Sequence, residues 1–154
     1  RRAGLALVKP KPLLLLVDDN PEDVTIALRA IRRAEFPVDV LTLGNGREAL
    51  EALDLYGDGS RGRKPLLPQV IFLDLRMPQI DGFEVLKRLR SASRTRSIPV
   101  VVVSSSERPE DVRRSYDLGA NSYLVKQFDG RDPGGWLADA ARYWLELNHV
   151  SAAR

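Results

Sequence analysis

The chain has no cysteine, one histidine and one methionine among its 154 residues. Without cysteine there is neither a disulfide framework nor a thiolate metal site, and the composition fits a reducing interior. A single histidine distant from the acidic motifs leaves zinc without its usual ligands. Long hydrophobic runs are missing as well: Leu13–Val17, among the longest, has five residues, against the roughly 20 that span a bilayer. The expectation is a soluble, cytoplasmic protein with no membrane association. A surplus of one charge is also lacking, because 24 Lys and Arg stand against 21 Asp and Glu, a net +3 spread through the chain. Nucleic-acid binding is therefore not implied. No glycine-rich phosphate loop occurs, so nucleotide hydrolysis has no support. Arg1–Leu7 has two basic residues and a short apolar patch but no full signal-peptide core.

What is present is a set of short apolar runs that end in charge or hydroxyl. Val70–Leu73 is an unbroken apolar run, the mark of a strand buried on both faces of a parallel sheet, and it stops at Asp74. Met77-Pro78 and Asp81-Gly82 then break the chain twice, which holds Asp74 on a constrained loop. Leu13–Val17 is a similar strand ending in Asp18 and Asp19, followed by Asn20-Pro21 as cap and first residue of a helix running to about Ala34. Val24, Ala27, Leu28 and Ile31 form its apolar face. Val38–Leu43 alternates partly and reads as a strand nearer the sheet edge, and 47–56 reads as a helix stopped at Gly57. A long polar connection, 57–68, follows it.

Beyond the central strand, 83–92 is a helix with Val85, Leu86 and Leu89 inward. Val100–Val103 is a fourth strand ending at Ser104, and Pro109 opens a helix closed by Gly119. Ser122–Val125 is a fifth strand ending at Lys126. Asp132-Pro133 should cap and start a last helix reaching about Asn148, with Leu137, Ala140, Ala141 and Trp144 as its apolar stripe. Strand and helix alternate five times. That order predicts an α/β fold, flavodoxin-like and doubly wound, with a parallel five-stranded sheet in the order 2-1-3-4-5 and helices on both faces. Strands one and three then lie side by side, and Asp18, Asp19 and Asp74 converge at their carboxyl ends.

Three carboxylates in one crevice repel one another, and a divalent cation resolves the conflict. Carboxylate oxygens with room for water and a phosphate oxygen suit Mg²⁺, and no calcium-loop pattern is present. Taken alone, Asp18 and Asp19 read equally as caps of the first helix, Ser104 as one of three loop serines, and Lys126 as a solvated lysine. Taken together, a hydroxyl, an ammonium and a cation around Asp74 make a phosphoryl-binding site, in which Asp74 is the nucleophile.

Asp18-Asp19 after LLLLV, Asp74 in FLDLRMPQIDG, Ser104 after IPVVVV, and Tyr123 with Lys126 in YLVK resemble the receiver domain of two-component response regulators. The resemblance covers about 12–148, with 1–11 and 149–154 as tails. It implies that Asp74 accepts a phosphoryl group from a phosphohistidine on a sensor histidine kinase. It further implies that Asp19, Asp74 and the main-chain carbonyl of Arg76 hold Mg²⁺, with Asp18 acting through a bound water. Ser104 and Tyr123 would form the switch. One position departs from the family pattern: the family's lysine is usually followed by a proline in a cis peptide, whereas Gln127 stands here, so a trans bond and a different loop shape are expected. The 57–68 insertion and NPEDVTIALRAI resemble receivers serving phytochrome-type kinases. No second domain follows the last helix in this sequence, so a stand-alone regulator signalling by contact is expected. Trp136, Tyr143 and Leu147 suggest a homodimer through the last helix and the neighbouring strand. Two rivals remain. A pseudo-receiver acting only as an interaction module would not need all five of Asp18, Asp19, Asp74, Ser104 and Lys126. An aspartyl phosphatase would use an acid two residues past the nucleophile, where this chain has Arg76.

Overall fold

The computed structural model describes residues 10–57 and 64–151. Five strands, β1 (Leu13–Val17), β2 (Asp39–Leu43), β3 (Val70–Leu73), β4 (Val100–Ser104) and β5 (Ser122–Val125), alternate with α1 (Pro21–Arg33), α2 (Gly46–Ala52), α3 (Gly82–Ser91), α4 (Pro109–Asp117) and α5 (Gly135–Arg142). The sheet is parallel throughout and ordered β2-β1-β3-β4-β5, as the strand–helix alternation predicts. The partly alternating β2 is an edge strand, and the apolar β1, β3 and β4 are central.

Alternate side chains of the central strands enter two separate cores, as a period of two requires. Leu15, Val17, Ile71, Leu73, Val100 and Val102 pack with Leu50 of α2 and with Val85, Leu86 and Leu89 of α3. Leu14, Leu16, Val70, Phe72, Val101 and Val103 pack with Ala27 and Ile31 of α1 and with Leu137 and Ala141 of α5. Every residue of β3 is fully buried, and each such side chain contributes about 1.5–3 kcal/mol relative to exposure. Both faces thus fix β3, and with it the position of Asp74.

The helices differ from the sequence reading in three places. α2 stops at Ala52, short of Gly57, because Asp54 takes a left-handed φ of 55°. The Leu55 N–H donates to the Leu50 carbonyl at 2.7 Å and the Asp54 N–H to the Glu51 carbonyl at 3.1 Å, which closes the helix with an acid where glycine is usual. Of the connection after it, residues 58–63 lie outside the described residues. In α1, Ala30 is buried with Ala27 and Ile31, and Leu28 is only half-buried.

The third difference is α5, which begins at Gly135 with Gly134 as its cap. Asp132 makes the preceding turn: its carbonyl accepts the Gly135 N–H at 3.2 Å, and its carboxylate is engaged by Arg33 at 3.1 Å. The helix then widens into a π-turn over Tyr143–Leu147, with the Asn148 N–H donating to the Tyr143 carbonyl at 2.7 Å. Ala138 and Leu145 are buried there, whereas Ala140 and Trp144 are only partly so. The buried stripe therefore runs through Leu137, Ala138, Ala141 and Leu145. Tyr143 and Leu147 are exposed, as expected for residues outside it, whereas Trp136, expected with them, is half-buried against the core. Gly119 closes α4 as anticipated, with φ of 102° and the Ala120 N–H bonded to the Ser115 carbonyl at 2.9 Å.

Candidate functional site

The acids are placed by strand register. Val17 pairs with Leu73 in the parallel β1–β3 ladder, so the next residue of each strand, Asp18 and Asp74, projects from the same sheet edge. The ladder continues past the strand ends: the Asp74 N–H donates to the Val17 carbonyl at 2.9 Å, and the Asp18 N–H to the Leu43 carbonyl at 3.0 Å. Gly82 then lets the loop after Asp74 turn back tightly. A Cβ at Gly82 would lie 2.2 Å from the Asp74 carbonyl oxygen, so a side chain there would displace the loop. Asp81 caps α3 by accepting the Glu84 N–H at 2.9 Å.

Asp18, Asp19 and Asp74 each present a carboxylate oxygen, and the three lie within 4.8 Å of one another. Asp18 and Asp74 are buried and Asp19 is exposed, so the cluster opens to solvent over Asp19. Oxygen donors of this kind and spacing suit a hard divalent cation. Lys126, carried to the same edge by β5, places Nζ 2.8 Å from Asp18 Oδ2, 2.9 Å from Asp23 Oδ2 and 3.6 Å from Asp74 Oδ2. A backbone bond from the Lys126 N–H to the Ser104 carbonyl, 2.8 Å, ties the ends of β4 and β5.

The electrostatics follow from this crowding. Burial pushes the Asp74 carboxyl up to about 7; Lys126 opposes that rise, while Asp18 and Asp19 add to it. Burial acts to lower the Lys126 pKa, but hydrogen bonds to Asp18 and Asp23 and the charges of Asp74 and Asp18 outweigh it and hold the ammonium above the ordinary lysine range. Asp18, Asp23 and Asp74 face one ammonium and Asp19 lies beside Asp18 and Asp74, so acids outnumber bases in the described cluster.

Ser104 is fully buried at the end of β4 and accepts the Ser106 N–H at 3.2 Å, which leaves its own O–H to donate. Tyr123 is half-buried and donates its hydroxyl to the Ser106 carbonyl at 2.8 Å. The Arg76 guanidinium turns away from Asp74 to pair with Asp111 of α4, which also accepts the Ser106 hydroxyl at 2.6 Å. The Ser106 hydroxyl, followed by Arg76, holds the Asp111 carboxyl below its ordinary range. The described residues contain no cis peptide, so the Lys126–Gln127 bond is trans. The Gln127 carbonyl accepts the indole N–H of Trp136 at 2.7 Å.

Two site residues escaped sequence reasoning. Asp23 reads as an ordinary first-turn acid of α1, and the available signal was its position five residues past Asp18 on a helix leaving the same strand end. Asp111 reads as a solvated acid near the start of α4, and nothing local marks its partnership with Arg76 across 35 residues. Two hollows of about 410 Å³ lie away from the acids, one beside Glu51 and Tyr56 and the other at the amino edge of the sheet around Pro12 and Ile98. Beside the acids, Asp19, Asn20, Pro21 and Glu22 line a shallow, open depression. The acids thus face open surface, which suits a protein-borne donor better than an enclosed small substrate.

Comparison with known proteins agrees with this geometry. The response regulator receiver domain matches residues 14–132. The probable methanogenesis regulatory protein FilR2 of Methanothrix harundinacea is 38% identical over 136 residues, covering 88% of this chain and 85% of that protein. The crystal structure of the phosphorylated cyanobacterial phytochrome response regulator RcpA superposes with a TM-score of 0.81 at 30% identity, covering 93% of this chain and all of that one. The Mn²⁺-bound form of response regulator Rcp1 gives 0.78 at 30% identity, covering 93% and 100%. On the family match, the strand order and the convergent acids together, this chain belongs to the receiver domains of two-component response regulators.

Proposed function

We propose that this receiver, spanning 12–148, takes a phosphoryl group onto Asp74 from the phosphohistidine of a sensor histidine kinase. The observation that carries the reading is the cluster itself: three carboxylate oxygens within 4.8 Å, with the Lys126 ammonium 3.6 Å from Asp74 Oδ2. An Asp74 carboxylate oxygen attacks phosphorus, the P–N bond to the donor imidazole breaks, and its electron pair returns to the ring nitrogen. Lys126 and the Ser104 hydroxyl bind the outer phosphoryl oxygens, where charge is greatest. Asp19, Asp74 and the Arg76 main-chain carbonyl would hold Mg²⁺, with Asp18 acting through water. When bound, the ion supplies charge neutralisation for the acids and the phosphoryl oxygens. Arg76, two residues past Asp74, has no carboxylate to activate water, which argues against phosphatase turnover.

The output is a changed surface. As the Ser104 hydroxyl moves toward the phosphoryl group, the Tyr123 ring moves into the space it leaves, and the β4–α4 loop follows through Ser106. A phytochrome-type kinase is the partner we favour, by likeness to RcpA. A homodimer through α5 and β5 would cover the exposed Tyr143 and Leu147. Incubation with a small-molecule phosphoryl donor and Mg²⁺ tests the reading: one phosphoryl per chain is expected, released by alkali and lost in Asp74→Asn. A chain that stays unmodified while binding a partner would instead be the non-phosphorylated interaction module.

A further inference from the structure

Lys126 reaches the site on a flexible four-carbon stem, and ordering such a side chain costs about 1.5–2 kcal/mol of conformational entropy. Its ammonium has three N–H donors. Two are used at hydrogen-bond distance, on Asp18 at 2.8 Å and Asp23 at 2.9 Å, and the third is left toward Asp74 at 3.6 Å. The two anchors differ in what else they do. Asp18 belongs to the group of acids that share a site for a cation, and its other oxygen accepts the Asn20 N–H at 2.9 Å. Asp23 lies outside that group.

Asp23 is held on the first turn of α1, where its N–H donates to Asn20 Oδ1 at 3.3 Å, and its side chain is only 20% exposed. α1 does not need this ion pair in order to dock, since Ala27, Ala30 and Ile31 already bury its inner face. From these contacts we infer that Asp23 is a positioning residue. It is the anchor reserved for Lys126, and it keeps the ammonium aimed at Asp74 when Asp18 is drawn toward a cation. The inference rests on the phosphoryl-acceptor reading for its consequence, but the anchoring itself is observable without phosphoryl transfer.

The test compares the wild-type chain with Asp23→Ala, Asp23→Glu and, as a charge control, Glu22→Ala. Glu22 is in the same turn, is exposed and does not touch Lys126. Two readouts are taken: phosphorylation rate with a small-molecule donor at saturating Mg²⁺, and exchange protection of the Lys126 ammonium in proton–nitrogen spectra. Asp23→Ala should lose ammonium protection and slow phosphorylation roughly ten- to a hundredfold, the cost of misplacing a catalytic group. Asp23→Glu should restore much of both, and Glu22→Ala should stay within about twofold of wild type. Urea unfolding of each variant separates these effects from stability, and Asp23→Asn replaces Asp23→Ala should the latter not fold. Wild-type-like rates in Asp23→Ala would overturn the inference. If the wild-type chain takes no phosphoryl group, the acceptor reading fails and the ammonium spectrum decides alone: protection unchanged in Asp23→Ala overturns the anchoring, and its loss sustains it.

Discussion

Two polar clusters, one containing Asp74 and one beside it, each set acid against base and are left in opposite electrostatic states. On one side Asp18, Asp23 and Asp74 gather around Lys126, with Asp19 beside Asp18 and Asp74, more acids than one ammonium can balance. On the other, Arg76 and Asp111 pair one to one, and the Ser106 hydroxyl satisfies the remaining demand. Burial, to which Asp18 and Asp19 add and which Lys126 opposes, pushes the Asp74 carboxyl up to about 7, whereas the Ser106 hydroxyl and then Arg76 hold Asp111 below the ordinary carboxylate range. A balanced cluster is a fastening, and here it joins the loop after β3 to α4. An unbalanced one stores a demand for positive charge, which a cation can meet. Chemistry belongs where the demand is unmet.

The largest effect that would break this comparison is at Asp74. Asp74→Asn should abolish phosphoryl uptake, as read by intact mass, and should also alter how cation-free stability depends on pH. A carboxyl raised from 3.8 to about 7 keeps its proton in the folded state while the unfolded chain has lost it. Folded stability therefore declines as pH rises from about 4 to about 7, by roughly 2–4 kcal/mol, and levels off above. Urea midpoints across that range should show the decline in the wild-type chain and its absence in Asp74→Asn.

Next in size is Lys126→Ala, which leaves buried carboxylates without their counter-ion. Removing one partner from a buried ion cluster costs about 3–5 kcal/mol. Much of that loss should be recovered on adding a divalent cation, and thermal unfolding with and without Mg²⁺ checks both parts. On the balanced side, Asp111→Ala strands the Ser106 hydroxyl and releases Arg76, at a cost of about 1–3 kcal/mol that no cation should restore. For wild-type Asp111 the sign is the reverse of that for Asp74. Its contribution is present above the ordinary aspartate pKa and is lost as pH falls through the lowered folded value. The smallest effect is Tyr123→Phe, which removes only the bond to the Ser106 carbonyl and should cost about 0.5–1.5 kcal/mol.

The unbalanced cluster was largely legible in the sequence and the balanced one was not. Strands that run apolar and then stop at Asp18, Asp74, Ser104 and Lys126 announce both the sheet and the edge where these groups meet, because burial on both faces leaves polarity only at the ends. Strand order follows from the alternation of elements, so the meeting of β1 and β3 was also within reach. Asp23 was hidden by a better-known role, since acids in a first helical turn are explained by the helix dipole alone. Arg76 and Asp111 are joined only by tertiary placement. Local backbone choices hid the helix ends: Asp54 took the left-handed position expected of Gly57, and the π-turn over Tyr143–Leu147 went with burial of Leu145, which a regular helical pattern had not marked.

The unmet charge is most directly tested by calorimetric titration of the chain with Mg²⁺ in buffers of different ionisation enthalpy. The account predicts a single ion per chain, with proton release from Asp74 accompanying binding below pH 7 and fading above it. Either no binding at any accessible concentration or proton release that ignores pH would contradict it.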